Sequence, residues 1–345
     1  MMTPILSYRR RGMTLVELMV VVAIIGILGV AVLPLLANSS EGRKTREAAR
    51  SLVSFVARSQ SRVLGRTEWG GFWMVPVVGT NYALDLFFAD VPAVFQGDNL
   101  PTLVSGSIVS SNTTFSLIGS SSFGGTAISF SNNTLNVGDL VRFDGTGPWY
   151  ALIDAKTVGL RDGRSFAGNF IENANQTAFN TPWPSVSGSH SYEIMRQPIR
   201  SGSPLTVGDG RCIDAAQSGY ISPTGFTTFG NNPGAIAVLF DGTGRLRQMI
   251  VGATRTTPTG AIFLLVGRTD LAVPSPATWT AGDDSTGYNW QYADSYWIGI
   301  DPLTGVAKVA ECAVGTTAAA AIAKGASPLV ASQSYIRSEL LATGR

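Results

Sequence analysis

The sequence predicts an α+β protein: a long amino-terminal helix, membrane-spanning in its first part and a stalk in its second, packed on a β-rich carboxy-terminal domain with an enlarged β insertion. Three observations predict it. No charge occurs between Leu18 and Ala37. Apolar residues then return at helical spacing from Glu41 to Leu64, and beyond Gly65 the chain changes to short alternating or apolar runs separated by turn residues. With 14% charged against 45% hydrophobic residues, disorder over most of the chain is excluded. At 345 residues the chain accommodates one large domain or two ordinary ones.

The first element is the apolar run. At 1.5 Å per residue, Leu18 to Ala37 spans about 30 Å, the hydrocarbon thickness of a bilayer. Arg9, Arg10 and Arg11 stand just before it, so the positive-inside rule keeps the amino terminus cytoplasmic and sends everything after Ala37 across, with Arg43, Lys44 and Arg46 opposing. A secretory signal has a shorter apolar region followed by a small-residue cleavage site on the far side. The order here differs: three arginines, Gly12, then Met13-Thr14-Leu15-Val16-Glu17, then the apolar run.

That string resembles the class III signal of type IV pilins and pseudopilins. The resemblance implies that a membrane-embedded prepilin peptidase cuts after Gly12 and methylates Met13, so that residues 1–12 are a leader and residues 13–37 an assembly helix. It also implies that Glu17, fifth in the mature chain, pairs with the amino terminus of a neighbouring subunit and fixes axial register. Pro34 falls where many members of the family have a helix-kinking proline. Met13 departs from the usual Phe but keeps the position apolar. Read without the family, Glu17 is a carboxylate that costs about 2.5–3.5 kcal/mol at a bilayer centre. Either it snorkels to the interface or it is matched by an opposite charge. Gly26 and Gly29 are either ordinary membrane-helix glycines or points of close helix packing.

By the same resemblance the protein is no enzyme but a minor pilin or pseudopilin, a filament subunit of a type IV pilus or a type II secretion system. It would sit in the bacterial inner membrane as a single-pass protein with an extracytoplasmic carboxy-terminal domain, and then in the filament. Its partners would be the prepilin peptidase, other pilin or pseudopilin subunits, the inner-membrane assembly platform and membrane lipid.

The second element is the stalk, residues 38–65. Asn38-Ser39-Ser40 offers caps or a break. Ala48, Leu52, Phe55, Val56, Val63 and Leu64 then share one face, while Arg43, Arg46, Glu47, Arg50, Arg58 and Arg62 lie off it. The arginine row is either a solvated face or a set of filament contacts. Gly65 is the expected stop.

Residues 66–345 form the β-rich domain, with strand candidates at Gly71 to Val78, Tyr82 to Phe88, Leu140 to Phe143 and Ala235 to Phe240. Ser105 to Asn136 is dominated by Ser, Gly, Asn and Thr and reads as exposed hairpins or a decorated loop. Phe-Asp-Gly-Thr-Gly occurs at Phe143 to Gly147 and Phe240 to Gly244, where Asp-Gly favours a tight hairpin turn. Ile300-Asp301-Pro302-Leu303-Thr304-Gly305-Val306 is a related strand-turn-strand. The REAARSLVSFVARSQSR, RCIDA and LFDGTGRL segments, at Arg46, Arg211 and Leu239, resemble the H-type pseudopilin and FimT-like minor pilin branch. Members of that branch are much shorter, so roughly residues 91–203 read as an insertion.

Little in the chain points to chemistry. Removing residues 1–12 takes three of the 25 Lys and Arg and none of the 23 Asp and Glu, which turns a formal charge of +2 into −1. A near-neutral mature chain carries no global case for nucleic acid. Cys212 and Cys312 either form one bridge or are two unpaired buried thiols. His190, the single histidine, lies in a run that reads as a loop, with no nucleophile placed by spacing. No cofactor is implied. Calcium at Asp283-Asp284 or at the Asp-Gly turns is the one metal reading, and no acidic twelve-residue loop accompanies it. The aromatic cluster Trp279, Tyr288, Trp290, Tyr292, Tyr296 and Trp297 is either core or a stacking surface for sugar, protein or single-stranded nucleic acid. The second would make the protein a filament-tip adhesin or a DNA-uptake minor pilin with DNA or a surface ligand as partner. The tail from Tyr335 to Arg345 reads as a frayed end.

Overall fold

The computed structural model describes residues 15–94, 103–109, 112–118, 139–143, 150–151, 156–160, 163–167, 189–252, 254–274 and 287–343. For residues 28–41 and for most of those between 103 and 194 it gives the backbone alone. Helix α1, Leu15–Ser61, runs unbroken for 47 residues, about 70 Å long. It passes through Pro34 and through Asn38 to Ser40 without ending. The intrinsic cost of that polar triplet, about 0.5 kcal/mol per residue, is small beside the burial that fixes the turns from Thr45 onward. Among the residues with described side chains, no helical stretch is long and apolar enough to cross a membrane. The expected span continues past Ile27 into positions of which only the backbone is given.

Among the described residues, eighteen strands come after it. They are β1 Gly70–Pro76, β2 Tyr82–Asp90, β3 Leu103–Val109, β4 Asn112–Ile118, β5 Leu140–Phe143, β6 Tyr150–Ala151, β7 Lys156–Leu160, β8 Gly163–Ala167 and β9 Ser189–Met195, then β10 Ile199–Thr206, β11 Arg211–Ser222, β12 Gly225–Thr228, β13 Ile236–Phe240, β14 Leu246–Val251, β15 Thr254–Thr256, β16 Ile262–Arg268, β17 Tyr296–Ile300 and β18 Ala307–Glu311. Three short helices close the chain: α2 Thr316–Ile322, α3 Pro328–Ser332 and α4 Ser334–Thr343.

The large sheet has the order β15-β14-β13-β1-β2-β11-β16-β17-β18, with β10 on β2 and β12 on β11. All its pairings are antiparallel. A seven-stranded sheet, β6-β5-β9-β3-β4-β8-β7, is built from the chain between 103 and 195. The chain leaves the large sheet at Asp90 and returns at Ile199, and these two residues are register partners. His190 is not in a loop as its composition suggests; it lies in β9 opposite Val104, because the ladder is made by backbone groups that a polar serine-rich run supplies as well as an apolar one.

Period-two alternation sorts the large sheet's side chains onto two faces. In β16, Ile262, Leu264 and Val266 join the core beneath α1, while Phe263 and Leu265 join a second core beneath the carboxy-terminal helices. In β13, Ile236, Val238 and Phe240 face α1, and Ala237 and Leu239 build a third cluster around Trp73 and Ile250. β11 is buried from Arg211 to Gly219, as expected for a central strand covered on both sides.

The carboxy-terminal tail is not frayed. Ile336 and Leu340 of α4 are buried against Phe263, Leu265 and Trp297. A ten-residue helix with one apolar stripe gains enough burial to dock. The Trp297 indole nitrogen donates to Ser332 Oγ at 3.1 Å. Tyr288, Trp290, Tyr296 and Trp297 are all buried and Tyr292 is 41% exposed, so these aromatics serve chiefly as core; Trp279, Asp283 and Asp284 lie outside the described residues. Cys212 and Cys312 are both free and buried. Cys212 sits on β11 and Cys312 just past β18, with β16 and β17 between them, a separation of about 14 Å at the usual strand spacing. That exceeds the reach of a disulfide. Burial pushes both thiols well above their ordinary range, which keeps them protonated and unreactive.

Candidate functional site

The two parts of α1 have opposite surroundings. Every large apolar side chain from Leu15 to Ile27 is exposed, from 38% at Val21 to 74% at Leu15. Burying such a side chain is worth about 1.5–3 kcal/mol, so this stretch carries a large unrealised burial energy. Glu17 lies in the first turn of the helix, where a carboxylate faces the positive end of the helix dipole, and it is exposed. Gly12 and Met13 lie outside the described residues, and of Pro34 only the backbone is given.

The seated part behaves otherwise. Thr45, Ala49, Leu52, Val56, Ser59 and Val63 are buried at alternating spacings of four and three, a single stripe. Phe55 beside them stacks on Phe88 with ring centroids 4.6 Å apart. The stripe runs through Ala49 where the sequence suggested Ala48, and Leu64 is 53% exposed because the chain has left the helix at Ser61. Gly65 does take positive φ, at +78°.

Two arginines of the row also reach the sheet, Arg46 while half exposed and Arg62 while over a third exposed. Arg46 Nε donates to the Tyr296 hydroxyl at 2.9 Å, and its Nη2 approaches Glu311 Oε1 at 3.2 Å. The Tyr296 hydroxyl also donates to Glu311 at 3.2 Å. Burial holds that phenol above its ordinary range, so it stays protonated and can both accept and donate. At the other end Arg62 lies over the Phe88 ring at 4.3 Å and pairs with Asp90 at 3.2 Å, and Ser201 Oγ donates to the same carboxylate.

Gln60 ties two distant turns to the end of the helix. Its Nε2 donates to the Gly244 carbonyl at 2.7 Å and to the Thr304 carbonyl at 2.6 Å. Each turn is fixed by its own aspartate. Asp241 Oδ1 accepts from Thr243 N, Thr243 Oγ1 and Arg245 N, and Asp301 Oδ1 accepts from Leu303 N, Thr304 N and Thr304 Oγ1. The Asp241 turn is therefore an aspartate-capped five-residue loop; its positive φ belongs to Gly244, at +85°, and not to Gly242. Gly242 is required for another reason, since a Cβ there would collide with the Arg66 carbonyl. The shared Asp…Thr-Gly pattern was visible in the sequence, but that both turns converge on Gln60 was not.

These turns belong to opposite ends of the sheet, yet Leu246 N donates to the Pro302 carbonyl at 3.0 Å. Antiparallel strands twist by about 20–25° per step, and over the β14-to-β18 path this curls the sheet around α1. The helix is thus gripped by a closed seat, with the exposed apolar stretch projecting from it. Among the described residues no group of three or more His, Cys, Asp or Glu side chains is placed to hold a metal ion.

Residues 7–33 match the family model of the prokaryotic N-terminal methylation motif. The chain therefore carries the type IV prepilin and pseudopilin signal, and the match covers both the expected processing boundary and the exposed apolar turns of α1. No curated protein and no solved structure matches the chain.

Proposed function

We propose, proceeding from a chain that carries the type IV prepilin signal, that this protein is a minor pilin or pseudopilin, a non-enzymatic filament subunit of a type IV pilus or type II secretion machine. The observation that carries the reading is a coincidence of position. The methylation motif covers Leu15 to Ile27, where among the described side chains of α1 every large apolar one is exposed, and a protein folded for water would cover them. In this reading prepilin peptidase cuts after Gly12 and methylates Met13. Leu18 to Ala37 then holds the subunit in the inner membrane, with the β-rich domain on the extracytoplasmic side, until the assembly platform moves it into a filament. Glu17 meets the amino terminus of the next subunit, and Pro34 loosens the helix where subunits pack.

The RCIDA and LFDGTGRL segments support placement in the H-type or FimT-like branch, and the adjacency of Asp90 and Ile199 supports reading residues 91–203 as an insertion in its domain. Processing is tested by mass spectrometry of the amino terminus. The expected result is a methylated Met13 in the wild type, uncleaved precursor in Gly12→Asp, and normal cleavage without filament incorporation in Glu17→Ala. A Gly12→Asp precursor that enters filaments at the wild-type level would overturn the proposal.

A further inference from the structure

Asp214 is the one carboxylate of the RCIDA segment, and it is fully buried. It sits at the bulge of β11, where the register against β16 jumps between Asp214 and Gly219. Its Oδ1 accepts from Gln217 N at 3.2 Å and its Oδ2 from Asn289 Nδ2 at 2.9 Å. Among the described residues no basic side chain bonds to it. Arg211 and Cys212 flank it on its own strand, and Tyr82 lies opposite on β2. On the β16 side the charged neighbours are Arg268 and Asp270, which pair with each other at 2.6 Å.

Asn289 comes from a single 3-10 turn, Asn289–Gln291, and links three elements through one carboxamide. Its Nδ2 also donates to the Arg268 carbonyl at 3.1 Å, and its Oδ1 accepts from Arg268 N at 2.7 Å. Gly267 makes the room, because a Cβ there would collide with the carboxamide. The same turn carries Trp290, stacked on Tyr288 at 5.9 Å. Trp290 and Tyr292 line a cleft under α2, with Gly315, Ala319, Ile322 and Pro328 on its other wall.

We infer that Asp214 and Asn289 form a proton-dependent latch: with Asp214 neutral the Tyr288–Gln291 turn and the cleft built on it are held against the sheet, and ionisation of Asp214 loosens them. An ion stripped of water with two N–H donors and no cation is poorly compensated. In agreement, burial pushes the Asp214 carboxyl up to about 7, against the lowering effect of its bonds to Asn289 and Gln217. The unfolded or opened carboxyl ionises near 4 and the latched one near neutrality, so the latch contributes fully below about pH 4 and its contribution is lost as pH rises through 7.

The test is hydrogen exchange of residues 288–292 in the full processed chain in detergent, between pH 5.5 and 8, corrected for intrinsic exchange. Protection in this turn is expected to fall by about fifteenfold from pH 5.5 to 7 and by less than about twofold from pH 7 to 8, while strands β16 and β17 keep theirs. In Asp214→Asn the step should vanish, and in Asn289→Ala the turn should be weakly protected at every pH. Protection of the wild-type turn that is flat from pH 5.5 to 8 would overturn the inference whatever the variants do. So would an unchanged step in Asp214→Asn. Neither result bears on the filament reading, which rests on the amino terminus.

Discussion

The projecting and the seated parts of α1 belong to one continuous helix, and nearly everything that distinguishes them comes from what surrounds them. From Leu15 to Ile27 apolar residues occupy all sides and none is covered; from Thr45 to Val63 they form one stripe and that stripe is buried. A helix apolar all round needs an apolar surrounding or other helices, whereas a striped helix needs one sheet. The first part is left for partners outside the fold and the second is consumed by the fold itself. A single secondary-structure element can thus hold a domain together with one part and leave the apolar side chains of another, from Leu15 to Ile27, uncovered.

That contrast can be broken at defined points. The largest effect is expected at Phe55→Ala, which removes a buried ring and its stack on Phe88 and should cost about 3–5 kcal/mol in denaturant unfolding of the processed chain. Next is Gly305→Ala. Gly305 has φ +66° and a Cβ there would strike the Gly244 carbonyl, so the variant should lose about 3 kcal/mol by loosening both turns from Gln60. A loss below about 1 kcal/mol would mean that the closed seat contributes little. Arg62→Ala should lose only about 1 kcal/mol or less, because the Asp90 pair is more than a third exposed and screened, leaving mainly the contact with Phe88. The smallest effect on folding belongs to Ile25→Ala, within about 0.5 kcal/mol. Filament incorporation of that variant should nevertheless fall, as read by immunoblotting of sheared filaments. Equal destabilisation by Ile25→Ala and Phe55→Ala would erase the distinction between the two parts.

Periodicity made the stalk legible to within one residue, since Ala49 rather than Ala48 is the buried position and the rest of the stripe from Leu52 to Val63 agrees with the structure. The strand at Leu140 to Phe143, the start of β2 and the end of β13 were also readable, because apolar runs bounded by turn residues leave few alternatives. The docked α4 was not. Its stripe of Ile336 and Leu340 is short and sits among polar residues, and only the partner surface of Phe263, Leu265 and Trp297 gives it meaning. The arginine clamps were hidden for a related reason, as nothing near Arg46 announces a tyrosine 250 positions away.

By itself the sequence determined the methylation motif at residues 7–33, the placement of Glu17 ahead of an uncharged run, the stalk's stripe and the β character of the chain beyond Gly65. These depend on charge order, apolar period and turn residues, all local properties of the chain. Only the tertiary structure decided that the sheet curls until the Asp241 and Asp301 turns meet on Gln60, that Cys212 and Cys312 are kept two strands apart, and that Asp214 is buried against Asn289. Those outcomes depend on twist summed over many strands and on contacts between residues far apart in the chain, quantities that no window of sequence contains.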